Sequence, residues 1–225
     1  MTEEPSSSIK LPSATASILW GTWIWRLLLT VTSGYGSWLM LADTSSSIDF
    51  VKHISYFTEL STVMMFLVSL GSVIRPFVTR GTYRHRLEGN YGWFRGVAAS
   101  MTVLTGIVYA TLLGADYPDL SGKIAHIVCP ILMALDWFFA GRNQIRLRWF
   151  VPLTWAMMLV PYFWLYSWNA HYFGRPMYDF LDPTSGDWWL WVGVMVVVYM
   201  VLSYLLLYIG KALRRAPRKT HVNSL

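Results

Sequence analysis

Six apolar runs, over about 16–42, 54–74, 94–113, 123–140, 149–168 and 188–210, constrain this chain more than anything else in it. Each approaches the roughly 20 residues that a helix needs to cross a hydrocarbon core of about 30 Å. In lipid every backbone polar group must find its partner inside the segment, so runs of this kind form helices. Charged residues make up only 13% of the chain, half the roughly 25% of a soluble domain. What charge there is collects in the short loops between runs. The sequence therefore predicts an all-α, polytopic membrane protein with six transmembrane helices. A disordered tail (1–15) precedes a six-helix domain (16–210), and a basic tail (211–225) follows it; no internal repeat is visible.

Lysine and arginine set the expected orientation. Arg75, Arg80, Arg84 and Arg86 follow the second run, with Arg95 at the start of the third. Arg142, Arg146 and Arg148 follow the fourth, and Lys211, Arg214, Arg215, Arg218 and Lys219 follow the sixth. The alternate loops carry Asp43 and Asp49, then Asp116 and Asp119, then Asp179, Asp182 and Asp187. Basic loops stay in the cytoplasm, which predicts that both termini are cytoplasmic and the protein integral to a plasma or cell membrane. The net charge of +6 then reflects topology and contact with membrane lipids, and no nucleic-acid partner is expected. The polar, Ser-rich N-terminus lacks the basic start of a cleaved signal peptide, so the first span is expected to direct insertion itself. One cysteine, Cys129, excludes an internal disulfide or a multi-cysteine metal site and reads as a small apolar filler.

His126 is the one histidine of five inside an apolar run. An imidazole in hydrocarbon is costly and normally faces the bundle interior with a partner or a task. Thr58 lies one turn inside the second run, as His126 does inside the fourth, and the expected orientation puts both at one outer level. A hydroxyl beside an imidazole is the minimal pair for nucleophilic catalysis. Pro130 has no amide hydrogen for the carbonyl of residue 126, which predicts a kink beside His126. Ser55, Thr58, Thr62, Met65, Ser69 and Ser72 recur at three- and four-residue steps and mark a face for helix packing. Ala98, Thr102, Thr105 and Tyr109 do the same in the third run, with Tyr109 reaching the level of His126. Asp136 lies ten residues past His126, hence about 15 Å deeper. It is expected to pair with Arg75, Arg95 or Arg142, too far away to orient the imidazole.

Three features stand in order along residues 50–210: Tyr56-Phe57-Thr58 opening the second span, His126-x-x-x-Pro130 in the fourth, and Tyr178-Asp179-Phe180-Leu181-Asp182 before the sixth. This set resembles the androgen-induced integral membrane protein family, or a prokaryotic branch of it. Its characterised members are six-span threonine hydrolases of fatty acid esters of hydroxy fatty acids. The resemblance implies a membrane-embedded lipid ester hydrolase with Thr58 as nucleophile and His126 as its base. It maps the family's acidic positions to Asp136 and Asp182.

Chemically, His126 would take the proton of Thr58 as the hydroxyl attacks an ester carbonyl, then return it to the leaving alcohol. Tyr56, Tyr109 or Tyr178 would serve the oxyanion, and Glu59 or Asp182 would fix the histidine tautomer. Thr62 and Pro130 would support the pocket, with the lipid ester reaching it sideways from the bilayer. No cofactor or metal is expected: a b-type haem needs histidines on facing spans, and no two ligands share metal-binding spacing. The rival reading is a non-enzymatic lipid-binding or proton-coupled transport protein, which a wet path from His126 to Asp136 would favour.

Overall fold

The computed structural model describes residues 16–88, 91–117 and 119–214, and all regular structure among them is helical. The tail expected over 1–15 and most of the one over 211–225 lie outside the described residues. Among the described residues, four helical segments are long and apolar enough to cross a membrane: Phe57–Val78, Gly92–Leu112, Leu120–Phe139 and Trp188–Arg214. They are here α3 (Phe57–Val78), α5 (Gly92–Leu112), the composite of α6 (Leu120–Lys123) and α7 (Cys129–Phe139), and α10 (Trp188–Arg214). Two short helices, α2 (Ser47–Ile54) and α4 (Tyr83–Glu88), sit beside the ends of α3.

The first and fifth runs are built differently. α1 (Ala16–Leu41) has 26 residues, but tryptophan, tyrosine, glycine, serine and threonine dilute its aliphatic side chains. The fifth run, expected as one helix over 149–168, is broken into α8 (Val151–Ala156) and α9 (Leu159–Phe173). Pro161 brings no amide hydrogen to the Met157 carbonyl. The chain tightens there instead, with Met158 N bonded to Trp155 O at 3.0 Å and Val160 N to Met157 O at 3.2 Å. Gly174, at φ 68°, ends α9 in the left-handed conformation that glycine takes without strain.

α5 is the hub, packed against α3, α7, α8 and α10. Val97, Ala98, Ala99, Ser100 and Thr102 are all buried, and small side chains let helices approach where lipid gives no hydrophobic drive between them. Gly96 has no alternative: a Cβ there would sit 1.9 Å from Cζ2 of Trp155. The expected polar stripe of α3 is present and packs against α1 and α5. Thr62, Met65, Ser69 and Ser72 are buried, and their hydroxyls bond back to the helix: Thr62 to Thr58 O at 2.9 Å, Ser69 to Met65 O at 2.8 Å, Ser72 to Val68 O at 2.9 Å. Self-satisfied in this way, they give a flat face that costs nothing to desolvate. Ser55 departs from the stripe. It closes α2 and binds Asn169 of α9, whose Nδ2 donates to its hydroxyl at 2.8 Å.

Of the three arginines expected near Asp136, Arg95 is the partner. Its Nε and Nη2 donate to Asp136 Oδ2 at 2.9 and 2.7 Å, and Nη2 also reaches the carbonyls of Asp136 and Ala140. Both residues are buried. The pair ties α5 to α7 at the end of the bundle away from His126.

Candidate functional site

His126 owes its position to how the fourth run begins. Asp119 caps α6, accepting from the Gly122 amide at 2.5 Å and the Ser121 hydroxyl at 2.9 Å. Those two bonds hold its carboxyl below the usual value of 3.8, and His126 and Lys123 lower it further. The chain then winds through one π-turn, Ile124–Val128, with Cys129 N bonded five residues back to Ile124 O. This replaces the simple kink expected at Pro130. Proline removes the donor that would close an ordinary turn on His126, and the helix takes up one extra residue instead. Two glycines make room for the wider turn. A Cβ on Gly106 would lie 3.0 Å from Pro130 Cγ and 3.2 Å from His126 O, and one on Gly36 would lie 2.7 Å from Ile124 Cγ2. Cys129 is fully buried beneath the turn, as a filler would be.

Thr58 stands in the first turn of α3, and its carbonyl accepts from both Ser61 and Thr62 at 2.9 Å. Ser61 also meets Thr105 of α5 at 2.9 Å, which fixes this turn against the hub. Opposite, the 174–187 loop delivers Tyr178. Its phenol oxygen accepts from the Phe57 amide at 3.1 Å and lies within hydrogen-bonding reach of the Thr58 side chain. Tyr166 anchors the loop, accepting from the Tyr178 amide at 3.1 Å while its ring stacks on that of Tyr178. Burial, with the Glu59 charge adding to it, pushes the Tyr178 phenol above its ordinary value of 10.0, so it stays a hydrogen-bond donor across the working pH range.

Thr58, His126 and Tyr178 come together in one wall. On one side is an apolar cavity of about 40 Å³ that also touches Phe57, Leu104, Tyr162 and Phe180. That volume suits a water or two rather than an acyl chain. On the other is an open groove of about 390 Å³ bounded by Tyr56, Glu59, Tyr109, Asp119 and Ser121 as well. The same three residues therefore face an enclosed apolar space on one side and an open groove of mixed polar and apolar lining on the other.

Several expected roles change. Tyr109 stacks on His126, and its hydroxyl donates to the Asp116 carbonyl, so its one hydrogen is not available to an oxyanion. Thr62 lines neither space; it is buried and supports Thr58 through the Thr58 carbonyl. Asp182 does not orient His126. Its Oδ1 accepts from the amide and hydroxyl of Thr184, both at 2.8 Å, and these bonds lower its carboxyl below 3.8. Glu59 borders the groove but faces His53, whose Nδ1 is 3.8 Å from Oε1. Nδ1 of His126 is buried and has no hydrogen-bond partner among the described residues. The carboxylate whose charge is felt at His126 is Asp119, which sequence reasoning passed over. Its signal is an aspartate ahead of an apolar run, three residues before a glycine, which marks a helix cap about two turns before His126.

No protein-family model, curated protein or solved structure matches the chain.

Proposed function

We propose that this chain is a membrane-embedded lipid ester hydrolase in which Thr58 is the nucleophile and His126 its base. The observation that carries this reading is the shared wall: a hydroxyl, an imidazole and a protonated phenol all bordering both an enclosed apolar cavity and an open groove that carries carboxyl groups. The ordered motifs that resemble the androgen-induced integral membrane proteins point the same way. The chain crosses the membrane six times in this reading, α1 and the α8–α9 pair supplying the other two passes, with both termini cytoplasmic. The alternation of basic and acidic loops supports it. The site then opens at the outer face, where a lipid ester reaches it from the bilayer.

The steps follow from the residues present. Thr58 Oγ attacks the ester carbonyl carbon while His126 takes its proton. The Tyr178 hydroxyl, already accepting from the Phe57 amide, donates to the oxygen that gains charge. The carbon–oxygen bond to the alcohol breaks, and His126 returns the proton to the leaving oxygen. Water from the groove then attacks the acyl-threonine with His126 again as base, which frees the carboxylic acid and restores Thr58. Asp119 favours the imidazolium formed midway. Thr58 is not bonded to His126 Nδ1 in the resting site; such bonds often tighten only when substrate arrives. Proton transport between His126 and Asp136 is disfavoured, because the cavity lining does not include Asp136 and Arg95 ties that carboxylate down.

Purified protein in detergent, assayed with a long-chain ester and a short activated ester, tests the reading. Hydrolysis by wild type that is lost in Thr58→Ala and in His126→Ala, with folding intact, is the expected result. Equal activity in all three would overturn it.

A further inference from the structure

The groove outside the Thr58–His126–Tyr178 wall has a charge of its own. Among the described residues Glu59 and Asp119 line it, with three tyrosines and a serine beside Met40, Leu113 and Met177, and neither lysine nor arginine does. The cations around it lie behind these groups or outside. His53 approaches Glu59 to 3.8 Å. Lys123 is exposed beyond Asp119, and its charge reaches that carboxylate. Arg175 is exposed, and its charge reaches Tyr56. Lys52 lies over the ring of Phe173, 5.4 Å from its centroid.

Asp119 is held ionised by the amide and hydroxyl that cap it. A cleft lined by one sign of charge and walled by low-dielectric material concentrates that field on whatever enters it. The volume, about 390 Å³, falls in the roughly 300–1,000 Å³ range of small-ligand sites. It fits the polar part of a lipid.

On the reading of Thr58 and His126 given above, we propose that this groove seats the alcohol portion of the ester and selects a cationic one. The substrate class is an acyl ester of an ammonium-bearing alcohol. An ester ending in a free carboxylate, as a fatty acid ester of a hydroxy fatty acid does, meets the Asp119 carboxylate there and is disfavoured.

Three esters of one acyl chain test this: the choline ester, the 3,3-dimethylbutyl ester of the same shape without charge, and the ester of a hydroxy acid with a free carboxylate. The expected order of kcat/KM is cationic, neutral, anionic, with roughly tenfold between the first two in about 0.01 M salt, shrinking towards unity near 1 M as the screening length falls from about 30 to about 3 Å. Glu59→Gln and Asp119→Asn should each narrow the ratio between the first two, whatever they do to the rates. Binding of the same esters to Thr58→Ala, which cannot turn over, reads the groove alone. Selective binding without hydrolysis by wild type would remove the catalytic reading and leave the groove assignment standing. Hydrolysis with equal kcat/KM for cationic and neutral esters, or preference for the anionic one, would overturn the groove assignment. So would failure of Thr58→Ala to bind any of the three.

Discussion

Tyr109 lies flat against His126, ring centroids 3.6 Å apart and planes 20° from parallel. The two residues come from α5 and the π-turn of the fourth run, and the stack is the clearest constraint on how the imidazole is held. Tyr109 is itself fixed, because its hydroxyl donates to the Asp116 carbonyl and its ring lies 5.1 Å from that of Tyr117. Tyr109→Phe keeps the ring and should keep kcat/KM within about threefold of wild type, whereas Tyr109→Ala should lose roughly tenfold, the worth of an aromatic pair. The assay is ester hydrolysis by protein whose melting temperature has been checked.

Gly106 allows α5 to touch the π-turn. A valine there would press on Pro130 and on the His126 carbonyl at 3.0–3.2 Å from its Cβ alone, and overpacking of this kind costs about 1–3 kcal/mol. Gly106→Val should lower thermal stability in detergent and reduce activity more than Gly71→Ala, where a Cβ meets nothing within 4 Å.

Arg95 and Asp136 behave as one unit. Replacing Asp136 alone with leucine leaves a buried guanidinium without its partner, at a cost of about 3–5 kcal/mol. Arg95→Met combined with Asp136→Leu should recover most of that loss. The double-mutant cycle is read from unfolding in detergent. Additive losses would show that the two residues are independent.

Much of this was legible in the sequence, and the reasons differ from element to element. Apolar run length marked α3, α5, the fourth run and α10, because lipid leaves a chain of that length little choice but a helix. The α3 hydroxyl stripe was readable because 3.6-residue periodicity puts Thr62, Ser69 and Ser72 on one face. The break at Met157–Met158 is hidden from run length and apolarity, which Pro161 does not interrupt. The π-turn was also beyond pattern reading. Pro130 announces a missing bond, but whether the helix bends or takes an extra residue depends on Gly106 and Gly36, contributed by other helices. At the site, Thr58 and His126 border the same two spaces, as equal depth from their span boundaries would place them, whereas Tyr178 reaches the same wall from a loop. The roles of Tyr109, Asp182 and Asp119 depended on loop hydrogen bonds that no spacing encodes.

Asp119 links the start of the fourth run to pH. Its carboxyl is lowered in the folded protein below 3.8 by the Gly122 amide and the Ser121 hydroxyl. A depressed carboxyl contributes stability that is present above the unfolded value and lost as pH falls through the folded one. Stability should therefore decline below about pH 4 in wild type and decline less in Asp119→Asn. Hydrogen exchange of the amides in residues 119–126, followed between pH 3 and 6, measures it. An identical pH profile in the variant would contradict the assignment.

The central claim is that Thr58 becomes acylated, and the most direct measurement is to trap that adduct. Purified protein treated with a long-chain β-lactone, which ring-opens onto a nucleophilic hydroxyl without a leaving group, is digested and mapped by mass spectrometry. One added lactone mass is expected on the peptide containing Thr58. The adduct should be absent in Thr58→Ala and slowed at least about a hundredfold in His126→Ala, the usual worth of a general base. Modification at another residue, or at Thr58 at the same rate with and without His126, would contradict it.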